Sequence, residues 1–485
     1  MKNMERPVLI HADVKTNTDE LKRRFHNSFD LTVRELTVGG VCAAAAALEG
    51  MCSDEIIAET LLKPLTNESP QGKTALTEYE LEARLYKGMG VQKTCAFDEV
   101  CEALCRGFLV LFLENAGFAY LFSVQGYPKK AVEEPQTEQN ERGATEGFTD
   151  TLRDNTALLR RRLQTPFLVF EKLELGRTAH TPVAICYLSD RTPADLLEKV
   201  RNRLSVAKLD TLTGAISLRP FLDGTPPSLF SSTGFTQRPD KLAAKLTEGR
   251  VGVLADGSPF ALIVPGLLID YFQAEDDYAS NVFYSFFIRI LRAVSFLISA
   301  ALPGLFVAVC DFHPEALPPG IMADIAAAEA RTPFSLMTEA LLIHLVYEIV
   351  REAGLRMPRA VGHAVSIVGA LAVGNAAVEA GLIAAPMLLI VALTAVSSAV
   401  VPKLNESVAP IRFCLIILGG AAGSFGVFLG IGLLLADVCA TSPYGIPFSA
   451  PFSPFSNKAQ ADSLWRRNMK MLGEIRQKIG DLKFG

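Results

Sequence analysis

Two constellations of ionisable residues stand out. Residues 134–162 set Glu134, Glu138, Glu141, Glu146 and Asp150 against Arg142, Arg153, Arg160, Arg161 and Arg162. Paired acids can serve as general acid and base, but acids interleaved with as many arginines in a polar run read as surface salt bridges. Farther on, FSLMTEALLIHLVYEIVREAGLRMPR places His344, Glu348 and Arg351 at i, i+4 and i+7, on one helical face opposite Leu342, Ile343 and Leu345. Ionisable groups at membrane depth usually face a bundle interior or water. The same face also fits a helix lying flat at the interface, or a local His–Glu–Arg network.

Other chemistry is missing from the sequence. There is no Walker A, GxGxxG, HExxH or GxSxG. Nine cysteines occur without a CxxC pair, and the tightest cluster (Cys95, Cys101, Cys105) has no histidine beside it to complete a zinc site. No catalytic, cofactor or metal residues are expected. The net charge of -5 argues against a nucleic-acid partner.

The elements that must carry these residues fall into two compositional halves. Charge concentrates before about residue 280 and after about 456, and the interval between is largely uncharged. The expected fold is an α/β cytosolic region of two small subdomains followed by an all-α transmembrane helical domain. Its parts are an N-terminal tail (1–26), subdomain one (27–125), a linker (126–147), subdomain two (148–275), the membrane domain (276–440) and a basic tail (441–485). No signal peptide is seen, which keeps the N-terminal region cytosolic.

In subdomain one, DLTVRELTVGGVCAAAAALEG reads as two strands about Gly39-Gly40, and GFLVLFLENAGFAYLFSV as a hairpin about Glu114-Asn115. A helix starting near Thr145 puts Phe148, Leu152, Leu159 and Leu163 on its apolar face and leaves the arginines mostly elsewhere. Arg160, Arg161 and Arg162 are therefore candidates for a charge-based contact between subunits or with acidic headgroups. In subdomain two, FLVFEKLEL and PVAICYL are strands, and residues 250–265 are a buried hairpin at Asp256-Gly257.

Four segments suit a bilayer that needs about 20 residues: 289–310, 360–384, 386–402 and 413–436. Arg289 and Arg292 could snorkel to the interface from the first. Asn375 and Glu379 are the few polar groups of the second, and Gly419, Gly423, Gly426 and Gly430 permit close packing of the last. No internal repeat is evident. If the helix with His344 also spans, the loops with Arg351, Arg356, Arg359 and with Lys403, Arg412 lie inside and the tail outside; if not, the reverse.

The stretch EPQTE…RG…EGFTDTLRDNTALLRRR resembles the linker signature of the spore germination protein family, the A subunits of GerA-type germinant receptors, through Glu134, Pro135, Arg142, Gly143, Glu146, Gly147 and Phe148. NSFDLTVREL, GRTAHTPVAICYL, FHPEALPP, REAGLRMPRAVGHAVSIVGALAVGNAAVEAGLI and YGIPFSAPFSP are similar to family segments in the same order. Ala144-Thr145 departs from the family's usual Pro-Arg. SpoVAF proteins are closely similar. The resemblance implies a subunit of the inner spore membrane that acts with a transporter-like B subunit, a lipoprotein C subunit and further copies of itself. Nutrient binding by the complex would open a monovalent-cation path. A non-conducting scaffold and a secondary transporter are the other readings. His344, Glu348, Arg351, Asn375 and Glu379 are the candidates to line the path, with Glu348 forming an acidic ring.

Overall fold

The computed structural model describes residues 8–38, 40–58, 91–126, 146–224, 228–357, 369, 372–453, 455, 462–463 and 479–482. Glu134, Pro135, Arg142, Gly143 and most of the linker lie outside these, as does much of the expected span at 360–384.

Helix α1 (Val14–Arg24) leads into β1 (Leu31–Val38) and β2 (Val41–Leu48). Strand β3 (Val91–Thr94), helix α2 (Phe97–Cys105), β4 (Leu109–Leu113) and β5 (Ala119–Phe122) complete the first unit. Its antiparallel sheet has the order β1-β2-β4-β5-β3. The turn before β5 uses Asn115 at φ 62°, a left-handed position that asparagine tolerates. Leu21, Phe25, Val100 and Leu104 of the helices close over Ala44, Val110 and Phe112 on one face of the sheet. The segment read as an N-terminal tail therefore supplies a core helix of this unit.

The second unit repeats the first. Helix α3 (Leu152–Arg162), strands β6 (Leu168–Leu175) and β7 (Thr181–Leu188), helix α4 (Ala194–Ser205), strand β8 (Gly234–Thr236), helix α5 (Pro239–Thr247), and strands β9 (Val251–Ala255) and β10 (Ala261–Val264) follow in chain order. The sheet order β6-β7-β9-β10-β8 is the same as in the first unit. The expected hairpin at Asp256-Gly257 is β9–β10, paired antiparallel.

The repeat is also legible in residues: VKTNTDELKRR of α1 aligns with LRDNTALLRRR of α3. Asn17 donates to the His11 carbonyl at 2.7 Å and accepts from its N–H at 2.9 Å. Asn155 does the same with Thr149 at 2.6 and 2.8 Å. A buried amide that satisfies a backbone donor and acceptor fixes the entry to the helix. The expectation of no internal repeat is thus corrected. The signal is five identities in eleven residues (Asn17, Thr18, Leu21, Arg23, Arg24 with their α3 equivalents), and the rest of each unit keeps only its pattern.

Helix α3 starts at Leu152, later than expected, and Phe148 precedes it as extended chain whose N–H donates to the Gln237 carbonyl at 2.7 Å. Phe148, Leu152 and Leu159 nevertheless share one cluster with α5 and the second sheet. The opposite side of α3 packs on the first unit, where Ala157 enters the first core.

Beyond the second unit lies a helical bundle. Helix α6 (Val282–Phe312) carries Pro303, α7 (Pro319–Glu329) is short, and α8 (Leu336–Arg356) and α9 (Ala385–Val400) follow. The last helical run, α10 (Asn405–Ala440), is not straight: Gly423 has φ 61° and ψ -150°. Near this fold a Cβ on Gly430 would meet Leu415 at 2.5 Å, and one on Gly423 the Phe312 ring at 2.8 Å. Residues 405–422 and 424–440 are therefore antiparallel legs of a hairpin. The expected single span at 413–436 is corrected accordingly, and the small residues serve packing between legs of one chain.

Each run can be ordered by its contacts. α6 leaves the second unit and ends at Phe312 beside Gly423. α8 starts there, with Met337 against Gly420, and returns until Glu348 meets Arg412. Gly369 lies level with Val350, Gly374 packs on Leu388, and α9 then brings the chain back to Val401 and Leu404, which pack with Phe230 and Phe272. The hairpin goes out and returns once more. Both ends of the bundle chain lie beside the second unit.

Residues 441–482 are not a free tail in their described parts. Tyr444, Ile446, Ile479 and Leu482 enter the core of the second unit on the face that α4 covers.

The two units are joined through Arg160. Its side chain is fully buried. Nε and Nη2 donate to the two Asp30 carboxylate oxygens at 2.7 and 3.0 Å, Nη2 to the Ser28 hydroxyl at 3.2 Å and Nη1 to the Thr165 carbonyl at 3.1 Å. Arg160→Ala would strand Asp30 in the core without a counter-charge. It should cost about 3–5 kcal/mol in a urea titration of the detergent-solubilised protein followed by far-UV circular dichroism, and Arg161→Ala should cost far less.

Candidate membrane-embedded polar site

Arg160 was expected to offer an external contact, together with Arg161 and Arg162. Instead it is an internal bolt, because the side of α3 away from its own sheet is covered by the first unit. Arg161 and Arg162 pair with Glu146 of the linker motif at 3.4 and 2.9 Å. All three arginines find partners within the chain.

The polar residues of the bundle gather around Arg412, which was expected in a loop. It sits in the first leg of α10 and is fully buried. The reason lies in α6. Proline at 303 has no N–H, so the carbonyl four residues earlier loses its helical donor. That carbonyl, of Ser299, accepts from Arg412 Nε at 2.8 Å. Arg412 Nη1 lies 3.2 Å from Glu348 Oε1, and Arg351 Nη2 lies 2.6 Å from Glu348 Oε2. The guanidinium also stands 5.6 Å from the centre of the Tyr347 ring, a cation–π contact.

His344 is fully buried one turn earlier. Its Nδ1 lies 2.8 Å from the Ala340 carbonyl, so Nδ1 carries a proton and donates it. The sequence face of His344, Glu348 and Arg351 thus exists, and it turns into the bundle of its own chain. Two guanidiniums on one carboxylate leave the cluster net positive, so Glu348 does not present a lone carboxylate to a cation. Asn375 and Glu379 lie on the exposed side of the helical run at 372–379 and do not join the cluster.

A second charged site forms the neck between the second unit and α6. Arg289, expected to reach an interface, is fully buried and lies 3.1 Å from Asp277 Oδ2 and 3.2 Å from Asp462 Oδ1. Arg292 pairs with the same Asp277 oxygen at 2.8 Å, and the Tyr278 hydroxyl donates to Asp462 at 2.7 Å. Sequence reading missed Asp277 and Asp462. The only signal was the approach of acids to the arginines at the start of an apolar run. Asp462 is separated from Arg289 by most of the bundle, so no local spacing could reveal it.

Beside the neck, one nitrogen of Arg238 serves two acids, Asp240 at 2.5 Å and Glu275 at 2.8 Å. Burial, with Asp240 adding to it, pushes the Glu275 carboxyl up to about 7, against the pull of Arg238. Asp240 is held below its ordinary value by Arg238 and Glu275, which outweigh its burial. A group with a raised folded pKa binds its proton better in the folded state, so its contribution is full below the unfolded value and is lost as pH rises. For Glu275 that window runs from about 4.5 to about 7. Hydrogen exchange of residues 273–281, corrected for its intrinsic rate, should therefore speed up from pH 5 to pH 8. In Glu275→Gln the corrected rate should be flat across this range.

Two sheet units of one design, joined to an apolar bundle with a charged interior, define a protein of two parts: a folded head and a helical base. Among the described residues, two helical segments, Val282–Phe312 and Pro402–Ala440, are long and apolar enough to cross a membrane; the fold at Gly423 divides the second.

Comparison with known proteins gives the family. The model of the Bacillus/Clostridium GerA spore germination protein matches residues 19–478, and the chain belongs to that family. Spore germination protein KA of Bacillus subtilis (strain 168) is 35% identical over 467 residues, 95% of this chain and 86% of that protein. Spore germination protein B1 of the same organism is 30% identical over 446 residues, 91% and 92% of the two chains. Its stage V sporulation protein AF is 28% identical over 485 residues, 98% and 96%. Among solved structures, the N-terminal domain of the A subunit of the Bacillus megaterium spore germinant receptor GerK3 is similar at TM-score 0.44 and 23% identity, over 54% of this chain and 99% of that one.

Proposed function

We propose that this chain is the A subunit of a spore germinant receptor, seated in the inner membrane of the spore with its two sheet units in the cytosol. It acts with a transporter-like B subunit, a lipoprotein C subunit and further copies of itself, and it passes nutrient binding on to the opening of a monovalent-cation path. The observation that carries this reading is the likeness to germination protein KA across 95% of the chain. The lower identity to stage V sporulation protein AF, 28% against 35%, favours the receptor subunit over an accessory germination protein.

The two long apolar segments of the bundle, the second of them folded at Gly423, support a multi-pass arrangement. Arg356 at the end of α8 and Lys403 after α9 both lie at the end of the bundle nearest the sheet units, as do residues 441–453. These described basic residues then share the cytosolic side, which is the charge bias expected of a membrane protein.

Two measurements test the reading. In a background free of reactive thiols, Ser424→Cys should react with a membrane-impermeant maleimide from the outer face, and Lys403→Cys only after permeabilisation. Labelling of both from one side would overturn this multi-pass arrangement. For the function, liposomes holding the purified receptor should release potassium when the cognate nutrient is added. Nutrient binding without potassium release would leave a non-conducting scaffold.

A further inference from the structure

A cleft opens where the second unit meets the bundle. Phe235 of β8, Leu267 and Tyr271 are its apolar wall. The Tyr271 hydroxyl donates to the Ser231 carbonyl at 3.0 Å, and the Phe235 ring packs edge-on against Phe260 at 6.1 Å, so both rings are fixed. Cations surround this wall. Lys241 and Lys245 share a face of α5, four residues apart, Arg250 precedes β9, and Lys403 reaches in from the bundle. Lys403 Nζ stands 5.8 Å from the centre of the Phe235 ring. Asp270 is the single carboxylate of the lining among the described residues. It accepts from Lys245 at 2.8 Å and from Arg250 Nη2 at 3.1 Å. Glu248, behind them, shares the same two cations at 3.2 and 2.9 Å. Four cationic side chains thus stand against two acids, and Lys241 and Lys403 tip the cleft positive.

The place of the cleft decides what this charge meets. Lys403 lies in the turn Pro402–Leu404, between the apolar helices α9 and α10. With the head in the cytosol, that turn is level with the headgroups of the inner leaflet, where basic pockets beside helix ends hold anionic lipids. We propose that the cleft binds one anionic phospholipid of the cytosolic leaflet. Its phosphate lies against Lys241 and Lys403, and its glycerol and first methylenes lie against Phe235, Leu267 and Tyr271. A soluble phosphate ester would leave the apolar wall wet, and a zwitterionic lipid would bring a cation of its own to the lysines. Because Phe235 belongs to the head and Lys403 to the base, the bound lipid touches both parts. The site rests on the proposed placement in a membrane and not on conduction.

The test is native mass spectrometry of the purified full-length protein in an uncharged detergent, titrated with phosphatidylglycerol or with phosphatidylcholine of the same chains. The first phosphatidylglycerol should bind at least about fivefold more tightly than phosphatidylcholine. Lys241→Gln and Lys403→Gln should each weaken it by about fivefold, and Lys403→Arg should keep it. Lys172→Gln serves as the control: it is exposed on β6, at the opposite edge of the sheet from β8, and should change nothing. Equal affinity for the two lipids overturns the site, as does unchanged binding in the two glutamine variants of the cleft. An equal loss in Lys172→Gln would reduce the effect to general surface charge and also overturns it. Displacement of the lipid by glycerol phosphate would make the cleft a site for a soluble phosphate ester, which overturns the lipid. Selective lipid binding without nutrient-triggered potassium release counts against the conducting role alone, and release without lipid selectivity counts against the site alone.

Discussion

A single left-handed glycine sets the plan of the bundle. Gly423, at φ 61°, lies where a side chain would be strained and would also strike Phe312. Only a residue without Cβ turns the chain there, and the turn divides a run of 36 residues into two legs. A straight helix of that length would measure about 54 Å, well beyond the hydrocarbon core of a bilayer. Folding brings Leu415 against Gly430, places Arg412 inside the bundle and returns the chain to the second unit. The core of that unit depends on this return, because Tyr444 and Ile446 belong to it.

Three of the buried arginines follow one rule. Arg160, Arg289 and Arg412 are each removed from solvent, and each meets a carboxylate and at least one backbone carbonyl. Guanidinium suits this work since its fork of donors serves several acceptors at once and it does not lose its charge. The three arginines hold different joints: unit to unit, neck to chain end, and helix to hairpin. Their partners are distant in sequence, so each joint ties together segments that local interactions could not.

Sequence periodicity carried the local elements well. The strand pairs about Gly39-Gly40, Glu114-Asn115 and Asp256-Gly257 are where turn chemistry puts them, and the described apolar runs at 289–310, 386–402 and 413–436 are helical. What the sequence concealed was long-range. Arg160 looks solvated because α3 is amphipathic toward its own sheet, and nothing local reveals a second core behind it. The hairpin at Gly423 hid within a run that satisfies every hydropathy test for one span, since glycine is common in membrane helices. The face of His344, Glu348 and Arg351 was legible, but its direction was not, for that depends on Arg412 and on a carbonyl freed by Pro303.

The repeat of the sheet unit has a consequence for how the head ends. The two units meet head to tail: α3 of the second lies on the first, with no twofold axis between them. Such a contact is open-ended and would continue to a third unit unless something stopped it. On α1, the positions matching Arg153, Ala157 and Arg160 are Lys15, Asp19 and Lys22, all exposed. A small residue has become an acid, and the arginine bolt a lysine with a single point charge. The surface by which α3 docks on the unit before it is therefore replaced on α1 by three exposed charged side chains, which do not repeat that contact.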